Sequence, residues 1–280
     1  MKTALSTVIY TGAHPYLQAL LKSVNNQTNK DFDLLIINDN YSKEELETVK
    51  TEINKNINGI NIHIEDISDK HLSIAGTRIE MLKTAKSLGY DNIVLVDADD
   101  TISPTRMESF IKSFELDKDR VFFYNKFVTE TGKDVFKTLP DAVEDIKPIA
   151  QANFLGLSNT GIRLTSLNAD FLDSLNEGAV AVFDWYLFSR IIMDIGTGAY
   201  VDDAATIYRI YDDNTAGTTR DLNKEYDVKT THYNNLARRY DYFKQLSAKL
   251  SKIDKSTLTL SNNHQGYWWS DIQMEDHYEI

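Results

Sequence analysis

Three carboxylates fall within four positions of the stretch DNIVLVDADD: Asp97, Asp99 and Asp100 follow directly on an apolar run from Ile93 to Val96. Like charges this close repel unless water solvates them or a positive charge lies among them. A D-x-D pair at the end of a buried strand can share Mg²⁺ or Mn²⁺, and the metal can bridge to a diphosphate. The plain alternative is a solvated turn whose aspartates cap the next helix. Strand alternation is expected to set Asp97 and Asp99 side by side. Asp39, after the apolar run LLIIN, ends a strand in the same way.

These acids need elements to place them, and the first hundred residues alternate strand and helix signals. Val8 to Tyr10 reads as a first strand rather than part of a secretory signal. His14-Pro15 opens a helix with Leu17, Leu20, Leu21 and Val24 on one face. DFDLLIINDN is a second strand, and Ser42 with Glu45 forms a capping box for SKEELETVKTEINKN. GINIHIEDI is a third strand, Ser73 to Ser87 a helix stopped by Gly89, and IVLV a fourth strand. Strands joined by helices of this length imply an α/β fold with a mostly parallel sheet flanked by helices. Ligands in such sheets lie beyond the C-terminal strand ends, where Asp39 and Asp97 fall.

Further on, Ser103-Pro104 starts a helix with Phe110, Ile111 and Phe114 inward. RVFFYNKFVTE reads as a strand, Thr131 to Ala152 as a hairpin or loop, and ATIYRIYD as a late strand. SLNEGAVAVFDWYLFSRIIMDIG is a loop followed by a buried helix, and Leu222 to about Ile253 a charged helical stretch. The mixed signs there, Arg238, Arg239 and Lys244 with Glu225, Asp227 and Asp241, could serve a homodimer or a peripheral membrane contact without making a strong basic face. Tyr267, Trp268 and Trp269 are expected to pin the terminal segment to the body, with sugar stacking as the alternative.

With 280 residues and 42% apolar content, a sizeable core is possible. The formal charge of -12 argues against a nucleic-acid partner and requires a cation to mediate any phosphorylated ligand near the acids. No apolar run reaches the ~18–20 residues that span a bilayer. The absence of cysteine excludes thiolate metal sites and fits a reducing, cytoplasmic setting. His14, His63, His71, His232, His264 and His277 show no paired ligand spacing and read as surface or loop residues.

Four segments in order give the chain a familiar outline. SVNNQTNKDFDLLIINDNYS, SIAGTRIEMLKTAKSLGYDNIVLVDADD, VFDWYLFSRI and IYRIYDDNTAG together resemble the family 2 glycosyltransferases, nucleotide-sugar enzymes of the GT-A fold, over roughly residues 5 to 217. The resemblance implies a GT-A domain over 1–217, with a nucleotide-binding half at 1–100 and an acceptor half at 101–217, and a C-terminal helical accessory region at 218–280. By position it implies that Asp39 hydrogen-bonds the base of the donor, Arg78 reaches base or phosphates, and Asp97 contacts ribose or metal. Asp99 becomes the main ligand of Mn²⁺ or Mg²⁺, and Asp184 the catalytic base.

The implied reaction is inverting transfer from a nucleotide-diphosphate sugar, uridine-linked by expectation, to a saccharide or lipid-linked glycan in polysaccharide or glycoconjugate assembly. It would take place in the cytoplasm or at the inner membrane face. Asn38 stands where the family more often has aspartate, Phe183 where it has an acid, and Tyr211 follows Ile210 where a metal-binding histidine is common. Asp212 or Asp213 could replace that histidine. A sugar nucleotidyltransferase is a rival, though YTGAHPYLQ lacks its glycine- and lysine-rich loop. A GT-A scaffold without turnover is the non-enzymatic rival.

Overall fold

The computed structural model describes residues 1–175, 180–209, 221–260 and 265–274. Its first half runs β1 (Thr3–Ile9), α1 (His14–Asn25), β2 (Asp33–Asn38), α2 (Lys43–Asn56), β3 (Asn61–Asp66), α3 (Ile74–Ser87) and β4 (Asn92–Leu95). The four strands are parallel and adjacent in the order β3-β2-β1-β4, as the intervening helices require. Alternation divides their side chains between two cores. Leu5, Ile9, Leu34 and Ile36 join the cluster beneath α1 and α2, whereas Ala4, Val8, Leu35 and Ile37 join the one that holds α3.

Local chemistry explains the helix starts. The Ser42 hydroxyl accepts from the Glu45 amide at 3.3 Å, and the Glu45 carboxylate accepts from the Ser42 amide at 2.9 Å, completing the expected capping box on α2. Ser73 caps α3 by accepting from the Gly76 amide.

The second half runs β5 (Thr101–Ile102), α4 (Arg106–Leu116), β6 (Phe122–Val128), β7 (Ala142–Val143), α5 (Lys147–Ala150), β8 (Thr160–Arg163), α6 (Ala169–Ser174), α7 (Phe183–Asp194) and β9 (Gly198–Ile207). The described strands form one sheet, β3-β2-β1-β4-β8-β6-β9-β5, with β7 on β9. β8 enters antiparallel to both β4 and β6, so the sheet is mixed beyond its parallel first half. The late strand differs from expectation: it begins at Gly198 and ends at Ile207, before Tyr208 and Arg209. A Cβ at Gly198 would overlap the Phe122 ring across the β6–β9 pair, a contact invisible to local pattern.

The charged C-terminal stretch is two helices, α8 (Leu222–Ala237) and α9 (Asp241–Leu250). Their apolar residues Tyr233, Leu236, Phe243 and Leu246 share one cluster with Trp185 and Phe188 of α7. Beyond them Trp268 pairs with Asn153 through both backbone groups, at 2.8 and 3.0 Å, and its ring packs on Phe127 and Phe136. The aromatic segment is therefore pinned to the body. Among the described residues no helix is long and apolar enough to cross a membrane.

The histidine expectation needs a correction. His232 is 4% exposed and lies on α8 inside the core. His264 and His277 lie outside the described residues.

Candidate active site

Because β2, β1 and β4 are adjacent and parallel, their C-terminal ends open onto one edge, where Asp39, Tyr10 and Asp97 follow in that order. The first half of α3 crosses this edge. Its consecutive residues reach two strand ends: Thr77 Oγ1 donates to Asp39 Oδ1 at 3.0 Å, and Arg78 Nη2 donates to Asp97 Oδ1 at 2.8 Å. Asn38, the departure from the family's aspartate, is fully buried. Its amide oxygen accepts from the Tyr41 amide at 3.0 Å, and its nitrogen donates to the Tyr41 carbonyl and to Asp66 Oδ1. Asparagine thus holds the loop that presents Asp39, using both donor and acceptor.

The acids at 97–100 are not on a strand. β4 ends at Leu95, and the Asp100 amide donates to the Asp97 carbonyl at 3.1 Å, so a turn, rather than alternation, brings Asp97 and Asp99 together. Asp97 keeps 34% of its side chain exposed while Asp100 is 2% exposed. The Ser158 hydroxyl joins the two: it accepts from the Asp97 amide at 3.1 Å and donates to Asp100 Oδ2 at 2.5 Å.

Cations surround the turn. Buried Arg106 donates to the carbonyls of Leu95 and Ser158 at 2.9 and 3.0 Å and to Asn125 Oδ1 at 2.8 Å. Arg209 gives its amide to Asp100 Oδ1 at 3.0 Å and its Nε to the Asp99 carbonyl at 3.1 Å. Its guanidinium lies over the Tyr16 ring and pairs with Glu130 at 2.8 Å.

The electrostatics follow from burial and crowding. Burial raises the Asp97 carboxyl above its usual range, against the opposing pull of Arg78 and with help from Asp99. Burial, then the charge of Asp97, raises Asp100 well above that range. Burial also lowers Arg106 to about 9, with Asp100 opposing. The Tyr10 phenol is raised by burial and then by the charges of Asp99 and Asp97, so the edge carries a negative field.

That field and the hard oxygens of Asp97 and Asp99 fit a divalent cation. Among the described residues no group of three His, Cys, Asp or Glu side chains could hold one, so a cation here would complete its shell with ligand oxygens and water. Asp212 and Asp213, the expected substitutes for the family histidine, lie outside the described residues.

Asp184 sits in the first turn of α7. Its Oδ1 accepts from the Trp185 amide at 2.8 Å. Burial raises its carboxyl to about 7; the backbone bond opposes, Asp97 adds to the rise, and Arg78 lowers it. The charges of Asp97 and Arg78 are thus felt at Asp184, though no direct bond joins them. Phe183 is 8% exposed and packs in the core, so it offers no second acid beside Asp184.

Asp39, Arg78 and Asp97 are therefore linked through α3, Asp99 shares the turn, and Asp184 feels the charges of Asp97 and Arg78 through space. Sequence reasoning missed Thr77, Ser158, Arg106 and the Arg209 contacts. Adjacency to Arg78 was the one signal for Thr77; Ser158 gave none.

The sequence model of the family described as "Glycosyl transferase family 2" matches residues 7–165. An uncharacterized glycosyltransferase of Methanocaldococcus jannaschii is 29% identical over 144 residues, covering 50% of this chain and 48% of that protein, so the match spans about half the length of each. Among solved structures, residues 1–349 of S. aureus TarS in complex with UDP-GlcNAc superpose with a TM-score of 0.60 at 14% identity, covering 92% of this chain and 74% of that one. The mannosyltransferase PcManGT of Pyrobaculum calidifontis, in complex with GDP-Man and Mn²⁺, gives 0.58 at 11% identity, with 86% and 65% covered. At such identities the likeness is one of fold, the curled mixed sheet of GT-A proteins, and the family match extends it: the chain belongs to glycosyl transferase family 2.

Proposed function

We propose that the protein is a metal-dependent, inverting glycosyltransferase that moves a sugar from a nucleoside diphosphate, uridine by preference, to a hydroxyl of a saccharide or glycoconjugate. The observation that carries the reading is the grouping at the strand ends, with Asp39 held by Thr77, Asp97 paired to Arg78, and Asp184 in the first turn of α7 raised by burial to about 7 within electrostatic reach of Asp97 and Arg78. A general base works best with a pKa near the working pH. Above about pH 7 Asp184 is mostly ionised and can accept the acceptor hydroxyl proton while that oxygen bonds the anomeric carbon. The bond from that carbon to the diphosphate breaks on the opposite face, and the nucleoside diphosphate leaves with the electron pair.

Asp39 accepts from the ring N–H of the base, with Thr77 fixing its carboxylate. Arg78, held by Asp97, would reach the base or phosphates of the donor. Asp97 and Asp99 would hold Mn²⁺ or Mg²⁺, which supplies positive charge to the departing diphosphate. Residues 1–217 form the transferase unit in this reading and 218–280 an accessory region. The acceptor is a saccharide or lipid-linked glycan, met in the cytoplasm or at the inner membrane face, where α8 and α9 offer a surface for membrane or homodimer contact.

UDP- and GDP-sugars tested by thermal shift with and without Mn²⁺ address donor and metal together. The reading expects the largest rise in melting temperature with a UDP-sugar and Mn²⁺, and loss of the metal-dependent part in Asp99→Ala. An unchanged rise in Asp99→Ala would remove the metal site. Binding without any release of nucleoside diphosphate would favour the scaffold reading, which Phe183 in place of an acid supports.

A further inference from the structure

Trp185 follows the candidate base and is fully buried. Tyr233 of α8 meets its ring edge-on at 6.4 Å, and three closer contacts hold it. Its amide donates to Asp184 Oδ1 at 2.8 Å, and its indole N–H donates to the Ile149 carbonyl at 2.6 Å. On its flat face lies the imidazole of His232 from α8, stacked at 3.9 Å between centroids and 18° between planes.

His232 is itself fixed. Phe243 of α9 meets it edge-on at 5.9 Å, and its Nε2 lies 3.5 Å from the hydroxyl of Ser189, one turn along α7 from Trp185. Burial, with the charge of Lys229 adding, lowers the ring to about 3, so it stays neutral and stacks as an uncharged plane. One side chain of α8 thus bears on α7 at two successive turns, on the side away from solvent.

We propose that His232 is a positioning residue for the transfer reaction: by stacking on Trp185 it fixes the first turn of α7 and so the place of the Asp184 carboxylate. The inference rests on the reading of Asp184 as base. A base misplaced by about 1 Å can cost on the order of 10²-fold in rate while leaving donor binding elsewhere intact. The transfer unit is then incomplete without α8, which lies outside both the family match and the expected 1–217 unit.

Whole-chain His232→Ala and His232→Phe answer the question. Amide hydrogen exchange over residues 183–187 is expected to quicken at least tenfold in His232→Ala, to stay near wild type in His232→Phe, and to stay unchanged over α3 in both. Unchanged exchange in folded His232→Ala overturns the inference; if that variant does not fold, fast exchange at 183–187 in folded His232→Phe overturns it.

With Mn²⁺ and UDP-N-acetylglucosamine, and GDP-mannose run in parallel, His232→Ala should lower kcat for nucleoside diphosphate release about 10- to 100-fold with donor KM within twofold. His232→Phe should restore kcat. A parallel rise in KM, or no rescue by phenylalanine, overturns the positioning role. In an Asp184→Asn background His232→Ala should add no further loss, because both act at one carboxylate. Near-normal release by Asp184→Asn alone, or none by wild type, means that the base reading has failed, and exchange then decides the fate of His232 by itself.

Discussion

The turn at Asp97–Asp100 and the first turn of α7 both carry carboxylates that burial pushes upward, yet they are surrounded differently. Arg78, Arg106 and Arg209 crowd the turn, and Ser158 ties its backbone to its buried acid. Among the described residues no cation lies within ion-pair distance of Asp184, whose bonded partner is a backbone amide. A turn held by the Arg78–Asp97 pair and by bonds from Arg106, Arg209 and Ser158 keeps a geometry, which suits binding. An acid raised by burial without an adjacent cation exchanges its proton near neutrality, which suits base chemistry. Two acidic regions in one protein are thus divided by where their positive charge sits.

The comparison breaks most visibly if Asp184 is no base. Asp184→Asn is expected to lower sugar transfer by about 10²- to 10⁴-fold while the melting shift with nucleotide and Mn²⁺ persists. Loss of both together would make Asp184 part of the binding region instead.

Next in size is the arginine scaffold of the turn. Arg106→Ala should cost about 3–5 kcal/mol of stability, read by denaturant unfolding, because it leaves the Leu95 and Ser158 carbonyls and the Asn125 amide oxygen buried without their donor, at about 1–3 kcal/mol each. A loss under about 1 kcal/mol would mean that the turn does not depend on its cations.

Below those effects lies pH. With the Asp184 carboxyl at about 7, kcat/KM should climb roughly tenfold per unit below that value and level off above it. A profile flat from pH 5 to 8 would assign the proton to another group.

The smallest effect is on stability, and its sign is opposite to that of an ion-paired acid. In the unfolded chain Asp184 titrates near ~3.9 and in the folded chain at about 7, so folding stability falls as pH rises between them and the deficit is complete above 7. Asp184→Asn should remove it, raising stability by roughly 1–3 kcal/mol at pH 8, allowing for partial solvent contact, and by less at pH 5. A destabilised variant at pH 8 would show that the carboxylate is held as firmly as those of the turn.

Much of the first half was legible because its signals are local. The Ser42–Glu45 box, proline at the start of α1, and the alternating apolar runs of β1 and β2 each depend on residues a few positions apart. That Asp39 and Asp97 share one edge was legible as well, since parallel strands joined by helices put strand ends together, whereas Arg78 came from the family resemblance alone. The site departed from expectation where the deciding partner was distant. Ser158 reaches Asp100 across 58 positions and His232 reaches Ser189 across 43, and no spacing rule links them. β4 stopped short of Asp97 because a turn closed by Asp100, with Ser158 on the Asp97 amide, takes over where strand pairing ends.

The amino-acid order alone determined the alternating α/β first half, its caps, and the placing of acids after apolar strands, because hydrophobic period and helix ends are short-range properties. Only the tertiary structure decided which acids meet arginines, which asparagine and histidine go into the core, and how α8 comes to lie against α7. Burial and charge neutralisation depend on what distant segments bring into contact, and a linear pattern does not encode that distance.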